Sequence, residues 1–130
     1  MTTRQAITTE GAPAAVGPYS QAIRAGDFVF TAGQLGVDPV TGEFTASDVA
    51  GQAEGALANL AAILGAAGSG MDRIVKTTVY LADIADWPKV NEVYVRHVPE
   101  PFPARSAFAV KDLPKGGLVE IEAIALTSAG

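Results

Sequence analysis

Cysteine is absent from the 130-residue chain, which excludes disulfides, thiolate nucleophiles and cysteine-ligated metals. Histidine is nearly as scarce. His97 stands alone, and one imidazole builds neither a histidine-rich metal site nor a two-histidine acid–base pair. Cations are few as well: 9 Lys and Arg against 14 Asp and Glu leave a formal charge of −5 and a pI near 4.7. They are not clustered as a nucleic-acid footprint requires. No apolar run approaches the ~20 residues of a membrane span, and residues 1–10 lack the apolar stretch of a secretory signal. The expectation is a cytoplasmic protein with neither a membrane nor a nucleic acid as partner. G-x-S-x-G elbows, Walker loops and dinucleotide fingerprints are missing too.

What is present describes a folded chain. Hydrophobic residues make up 48%, charged residues 18%, and mean hydropathy is +0.25, which rules out disorder. The length fits one domain, residues 1–130, able to bury roughly two-thirds of its unfolded surface. Ala53, Ala56, Leu57, Leu60, Ile63, Leu64 and Ala67 recur at helical spacing between Asp48, a fitting N-cap, and Gly68, a fitting residue past the C-cap. The Gly-rich run 65–70 is therefore better read as a helix end than as a phosphate loop. A second helix is expected from about Asp86, with Pro88 in its first turn, to just before Pro99. Its stripe is Val90, Val93, Tyr94, His97 and Val98.

Strands are expected at Phe28–Ala32, Ile74–Leu81, Ala104–Val110 and Val119–Thr127. In Ile74–Leu81, Val75, Val79 and Leu81 are assigned to one face and Lys76, Thr78 and Tyr80 to the other. The order of elements indicates an α+β fold with both helices on one face of the sheet. Two helices cover only one face, yet Phe28 and Phe30, or Ile124 and Leu126, leave apolar side chains on the second. Copies of the chain are the simplest cover, so a homo-oligomer is expected; scattered surface apolar residues are the plainer alternative.

Two charged residues stand inside apolar strands. Arg105 follows Phe102-Pro103-Ala104, and a guanidinium there suits a planar anion, above all a carboxylate. Glu120 lies between Val119 and Ile121, where partial burial would raise its pKa toward that of a useful base. The same pair reads as a structural Arg–Glu ion pair or as edge-strand charges facing water, and structural pairs are the commoner case. Tyr19, after Gly17-Pro18, reads as a cleft-mouth hydroxyl or a surface aromatic; Asn91 reads as a solvated helix residue. His97 reads as a structural histidine, and pairing it with Ser106 as a nucleophile lacks an orienting acid.

Together the segments are specific. They are Ala12-Pro13-Ala14-Ala15-Val16-Gly17-Pro18-Tyr19-Ser20-Gln21, Ala32-Gly33-Gln34, Asp38-Pro39-Val40-Thr41-Gly42, Ile74-Val75-Lys76-Thr77-Thr78-Val79-Tyr80, Phe102-Pro103-Ala104-Arg105-Ser106 and Val119-Glu120-Ile121-Glu122-Ala123-Ile124-Ala125. In that order and spacing the chain resembles the RidA family of reactive intermediate deaminases, also called YjgF, nearly end to end. The resemblance implies a chorismate-mutase-like α+β fold, a mixed sheet with two helices on one face. It also implies a homotrimer with sites between subunits. The implied reaction is hydrolysis of enamines and imines such as 2-aminoacrylate to 2-oxo acids and ammonia, without metal or organic cofactor. Carried over, Arg105 grips the substrate carboxylate, Glu120 holds or activates water, and Tyr19 and Asn91 line the site. Gly33 and Ala107 help form the pocket. Ala107 stands where many members have cysteine, and Ala32 where many have serine; the first removes any thiol role and the second one pocket hydroxyl. Two other readings stay open, a non-catalytic carboxylate-binding or chaperone-like trimer and an endoribonuclease. The acidic pI and lone histidine disfavour the last. A chorismate mutase would need several arginines where only Arg105 is well placed.

Overall fold

A computed structural model describes residues 3–127. Six strands, β1 (Arg4–Ile7), β2 (Ala22–Ala25), β3 (Phe28–Thr31), β4 (Ile74–Leu81), β5 (Ala104–Ala109) and β6 (Val119–Leu126), form one sheet in the order β1-β2-β3-β6-β4-β5. All pairings are antiparallel except β4 with β5. Two helices, α1 (Val49–Ala66) and α2 (Trp87–His97), cover one face, α1 over β3 and β6 and α2 beside it. The α+β expectation with both helices on one sheet face is borne out. No helix among the described residues is long and apolar enough to cross a membrane.

The helix ends follow the local chemistry of the chain. Gly68 adopts φ +77°, a left-handed backbone that any side chain would strain. That turn lets the Ser69 N–H reach the Leu64 carbonyl at 2.8 Å and the Gly68 N–H reach Gly65 at 3.2 Å, capping the carbonyls α1 would leave bare. At the other end Asp48 occupies the N-cap, but its side chain makes no capping bond; only its carbonyl is used, accepting from the Gln52 N–H at 3.0 Å. The predicted stripe is the core: Leu57, Leu60, Ile63 and Leu64 are all buried against the sheet. In α2, Val90, Val93 and Tyr94 are buried, and His97 is half-buried with Nε2 2.6 Å from Glu54 of α1.

Alternation on β6 sorts the two faces. Val119, Ile121, Ala123 and Ala125 are buried under the helices, while Glu120, Glu122, Ile124 and Leu126 face the other way. In β4 one expectation fails. An irregularity between Ile74 and Lys76 shifts the register, so Ile74 is buried and Val75 turns outward, although Val79 and Leu81 point inward as expected. The hairpin of β1 and β2 was not foreseen; its sequence, with Arg4, Gln5 and Arg24, carries too little alternation to announce strands.

The uncovered face is apolar in patches. Phe28, Phe30 and Phe108 remain 41–45% exposed there, with Ile124 and Leu126 between them. Tyr80 stacks edge-on against Phe108 at 5.3 Å.

Candidate active site

Strand register decides where Arg105 and Glu120 lie. Arg105 is opposite Thr77, and Thr77 is opposite Ala123, so all three look toward the helices. Glu120 is opposite Tyr80 and looks toward the uncovered face. The two residues are on opposite sides of one sheet, and an ion pair between them within the chain is excluded. Among the described residues the salt bridges join Glu54 to Arg96 and to His97, and neither involves Arg105 or Glu120.

Arg105 is exposed at the wall of a cleft of about 370 Å³, shared with Asn91, Tyr94, Val95, Phe102 and Pro103. Its Nη1 donates to Asn91 Oδ1 at 3.0 Å, which leaves the other guanidinium donors available. Its Cζ lies 4.4 Å from the ring centroid of Trp87 and 4.8 Å from that of Tyr94, within the range of cation–π attraction. Ala107, two residues on, faces the helices opposite Val79 and borders a neighbouring hollow with Ile84 and Trp87. Asn91 is exposed, as expected of a solvated helix residue, and is at the same time a hydrogen-bond partner of Arg105. In the sequence Trp87 reads as an ordinary helix aromatic and Tyr94 as part of the apolar stripe. The signal for both was the spacing Trp87, Asn91, Tyr94 (i, i+4, i+7), which stacks all three on one helix face.

The second cluster is built by β6 and two loops. The Gln34 N–H donates to Ile121 O at 2.8 Å and the Ile121 N–H returns to Gln34 O at 3.0 Å, which lays Gly33 beside Glu120. A Cβ at Gly33 would sit 2.8 Å from the Glu120 carboxyl carbon, so the carboxylate occupies the space a side chain would take. From α1, Asn59 donates to the carbonyls of Leu35 and Val37 at 3.0 and 2.9 Å, clipping this segment in place. The Tyr19 loop is anchored by buried Gln21, which accepts from the Thr9 N–H at 2.7 Å and donates to Pro13 O at 2.8 Å. Tyr19, 53% exposed, joins Gly33 and Glu120 around a cleft of about 490 Å³ whose far wall includes Lys115. Burial pushes the half-buried Glu120 carboxyl above its ordinary pKa, and the neighbouring charge of Glu122 pushes it further. Glu122 is itself half-buried.

Ser106 is on the uncovered face opposite Thr78, away from α2, so it forms no pair with His97. Ala32 is half-buried, its N–H bound to Gln21 O at 2.9 Å.

A chain with this geometry has close relatives. The family model described as Endoribonuclease L-PSP matches residues 9–127. The 2-iminobutanoate/2-iminopropanoate deaminase of Bos taurus is 50% identical over 123 residues, 95% of this chain and 90% of that protein. The crystal structure of RidA from Psychrobacter sp. PAMC 21119 superposes with a TM-score of 0.90 at 48% identity, covering 94% of this chain and 98% of the other. This chain belongs to the RidA family. Another RidA-like structure, Escherichia coli TdcF with bound serine, matches with a TM-score of 0.88 at 43% identity over 95% of this chain and 99% of TdcF. In RidA terms, both charged residues expected from the motifs sit in clefts, but in two separate ones.

Proposed function

We propose that this RidA-family protein hydrolyses 2-imino acids and their enamine tautomers, such as 2-aminoacrylate and 2-iminobutanoate, to 2-oxo acids and ammonia. The observation that carries the reading is Arg105, a guanidinium with no carboxylate partner among the described residues, held at the wall of an open cleft by Asn91, Trp87 and Tyr94. Such a group is a receptor waiting for a planar anion, and the substrate carboxylate supplies it bidentately.

Chemistry requires a second group, which the Arg105 cleft lacks. Glu120 is on the opposite face of the sheet, and the same face exposes Phe28, Phe30 and Phe108. A homotrimer that covers these rings and brings the Arg105 cleft of one subunit against the Glu120 cleft of the next satisfies both needs. In the assembled site Arg105 and Asn91 fix the carboxylate, and Glu120, its affinity for protons raised, takes one from a water molecule. The oxygen of that water adds to the imine carbon. Glu120 then returns the proton to nitrogen, the C–N bond breaks, and the hydroxyl of the carbinolamine gives its proton back to the Glu120 carboxylate as it becomes the ketone and ammonia leaves. Tyr19 and the Gly33 backbone shape the pocket around Glu120. A protonated imine is already a strong electrophile, so holding the acid and delivering water are sufficient tasks, and no step calls for a metal or an organic cofactor. The bovine relative, named as a deaminase of 2-iminobutanoate and 2-iminopropanoate, supports the substrate class, and serine bound to TdcF supports a site for small amino-acid-like ligands. Against RNA cleavage stand the charge of −5 and the lone imidazole, occupied by Glu54 and lining neither cleft.

The deciding experiment follows 2-oxo acid release from 2-aminoacrylate generated in situ by a serine dehydratase. Wild type should exceed spontaneous hydrolysis, and Arg105→Ala should lose on the order of 10²-fold, the scale of an oriented charge-assisted anchor. An intact oligomer that binds 2-oxo acids yet gives no acceleration would instead support a carboxylate-binding module.

A further inference from the structure

Arg105 is a long, flexible side chain on an edge strand, and left to itself it would sample many rotamers. Here it does not stand alone. One face of α2 presents Trp87, Asn91 and Tyr94 in successive turns, and the guanidinium lies across all three. Tyr94 is fixed in turn. Its hydroxyl is 2.7 Å from Thr77 Oγ1 in the buried layer between α2 and β4, and Thr77 is the strand neighbour of Arg105. Trp87, at the first turn of α2, is half-buried. The rings restrict the guanidinium without consuming its N–H donors, because cation–π attraction acts through the ring face. Asn91 takes one donor and sets the rotation.

We propose that Trp87 and Tyr94 are positioning residues that hold the Arg105 guanidinium as a preformed receptor for the substrate carboxylate, with Thr77 holding Tyr94. This rests on the carboxylate-gripping role assigned to Arg105 above. The clamp lowers the ordering cost of binding, so its effect falls on substrate and product affinity rather than on the hydrolytic step. Trp87 is the only tryptophan of the chain, and a carboxylate arriving at Arg105 changes the charge beside its indole. Its emission therefore reports occupancy of the site.

The test compares the full-length wild-type protein with Trp87→Ala and Trp87→Phe. It measures 2-oxobutanoate affinity by calorimetry and the concentration dependence of imine hydrolysis. In Trp87→Ala both KM and the 2-oxobutanoate Kd should rise about tenfold, equivalent to about 1.4 kcal/mol, with kcat within about threefold; in Trp87→Phe both should return to near wild type. Unchanged KM and Kd in Trp87→Ala, or a loss confined to kcat, would overturn the clamp. A wild-type measurement guards against a poorly folded variant. Saturating 2-oxobutanoate should shift or quench Trp87 emission in wild type and do neither in Arg105→Met; binding seen by heat but silent in emission would overturn the proposal. The deaminase reading fails separately: wild type that binds 2-oxobutanoate in this way without accelerating imine hydrolysis sinks that reading and leaves the clamp standing. Wild type that binds no 2-oxo acid sinks both.

Discussion

At the scale of single residues, Glu120 shows how position sets chemistry. Its carboxyl sits against Gly33, where a Cβ would come within 2.8 Å of it, and burial together with Glu122 raises its pKa above the ordinary 4.5. Between that ordinary value and the raised folded value the folded chain binds more protons than the unfolded chain. Stability therefore falls as pH rises through that window, and the penalty persists above it. Glu120→Gln removes the ionisable group and with it the penalty. The variant should melt above wild type around pH 7 to 8, and the advantage should vanish below about pH 4, where both states of wild type are protonated. Hydrolysis should meanwhile drop on the order of 10²-fold, the contribution of a positioned general base. Melting curves and rates across pH check both halves; a variant that is less stable at neutral pH would mean the carboxylate is stabilising where it sits.

At the scale of elements, α1 does two jobs that separate experimentally. Its C-terminal end is a capping device, and its N-terminal half is a bed for the segment that carries Gly33. Gly36 lies so close to this half of the helix that a Cβ would fall 2.3 Å from Gln52 O, and Asn59 holds the carbonyls on either side of Gly36. Gly36→Ala must lift the segment off the helix, so both stability and hydrolysis should fall, stability by about 1 to 3 kcal/mol as in other overpacked sites. Gly68→Ala strains only the φ +77° turn. It should cost about 1 to 2 kcal/mol and leave kcat unchanged. Denaturation midpoints beside steady-state rates distinguish the two, and an active Gly36→Ala would show that the segment does not position the Glu120 cleft.

At the scale of the whole molecule, the sheet separates the Arg105 cleft from the Glu120 cleft. If each site joins the Arg105 cleft of one subunit to the Glu120 cleft of its neighbour, two inactive variants should rescue one another. Arg105→Ala and Glu120→Gln chains, unfolded together and reassembled at equal ratio, place an intact Arg105 opposite an intact Glu120 at roughly a quarter of the sites under random mixing. Activity should recover to about that fraction, while each variant reassembled alone stays inactive. Light scattering on the same samples should give three chain masses. Absence of rescue in mixed trimers would mean that Arg105 and Glu120 do not meet in a site between subunits.

How much of this was legible in the residues depends on the range of the interactions involved. The helix α1 was readable because its stripe, its bounding Asp48 and its terminating Gly68 are local features, each acting within a turn or two. The faces of β6 followed from strict alternation. The candidate residues Arg105 and Glu120 were visible as charges among apolar neighbours, and the family motifs named their company. The hairpin β1–β2 was not legible, since two four-residue strands at a sheet edge take their conformation from pairing rather than from their own pattern. The bulge that turns Val75 outward was equally invisible, because register is settled between strands. Trp87 and Tyr94 looked like ordinary helix aromatics until β5 laid Arg105 across them. The sequence by itself thus determined the two helices, four of the six strands, the core stripe and the candidate charged residues, all encoded at short range. Only the tertiary structure decided that Arg105 and Glu120 lie on opposite faces of one sheet. Sidedness across strands far apart in the chain is a property of their pairing, which no local stretch of residues contains.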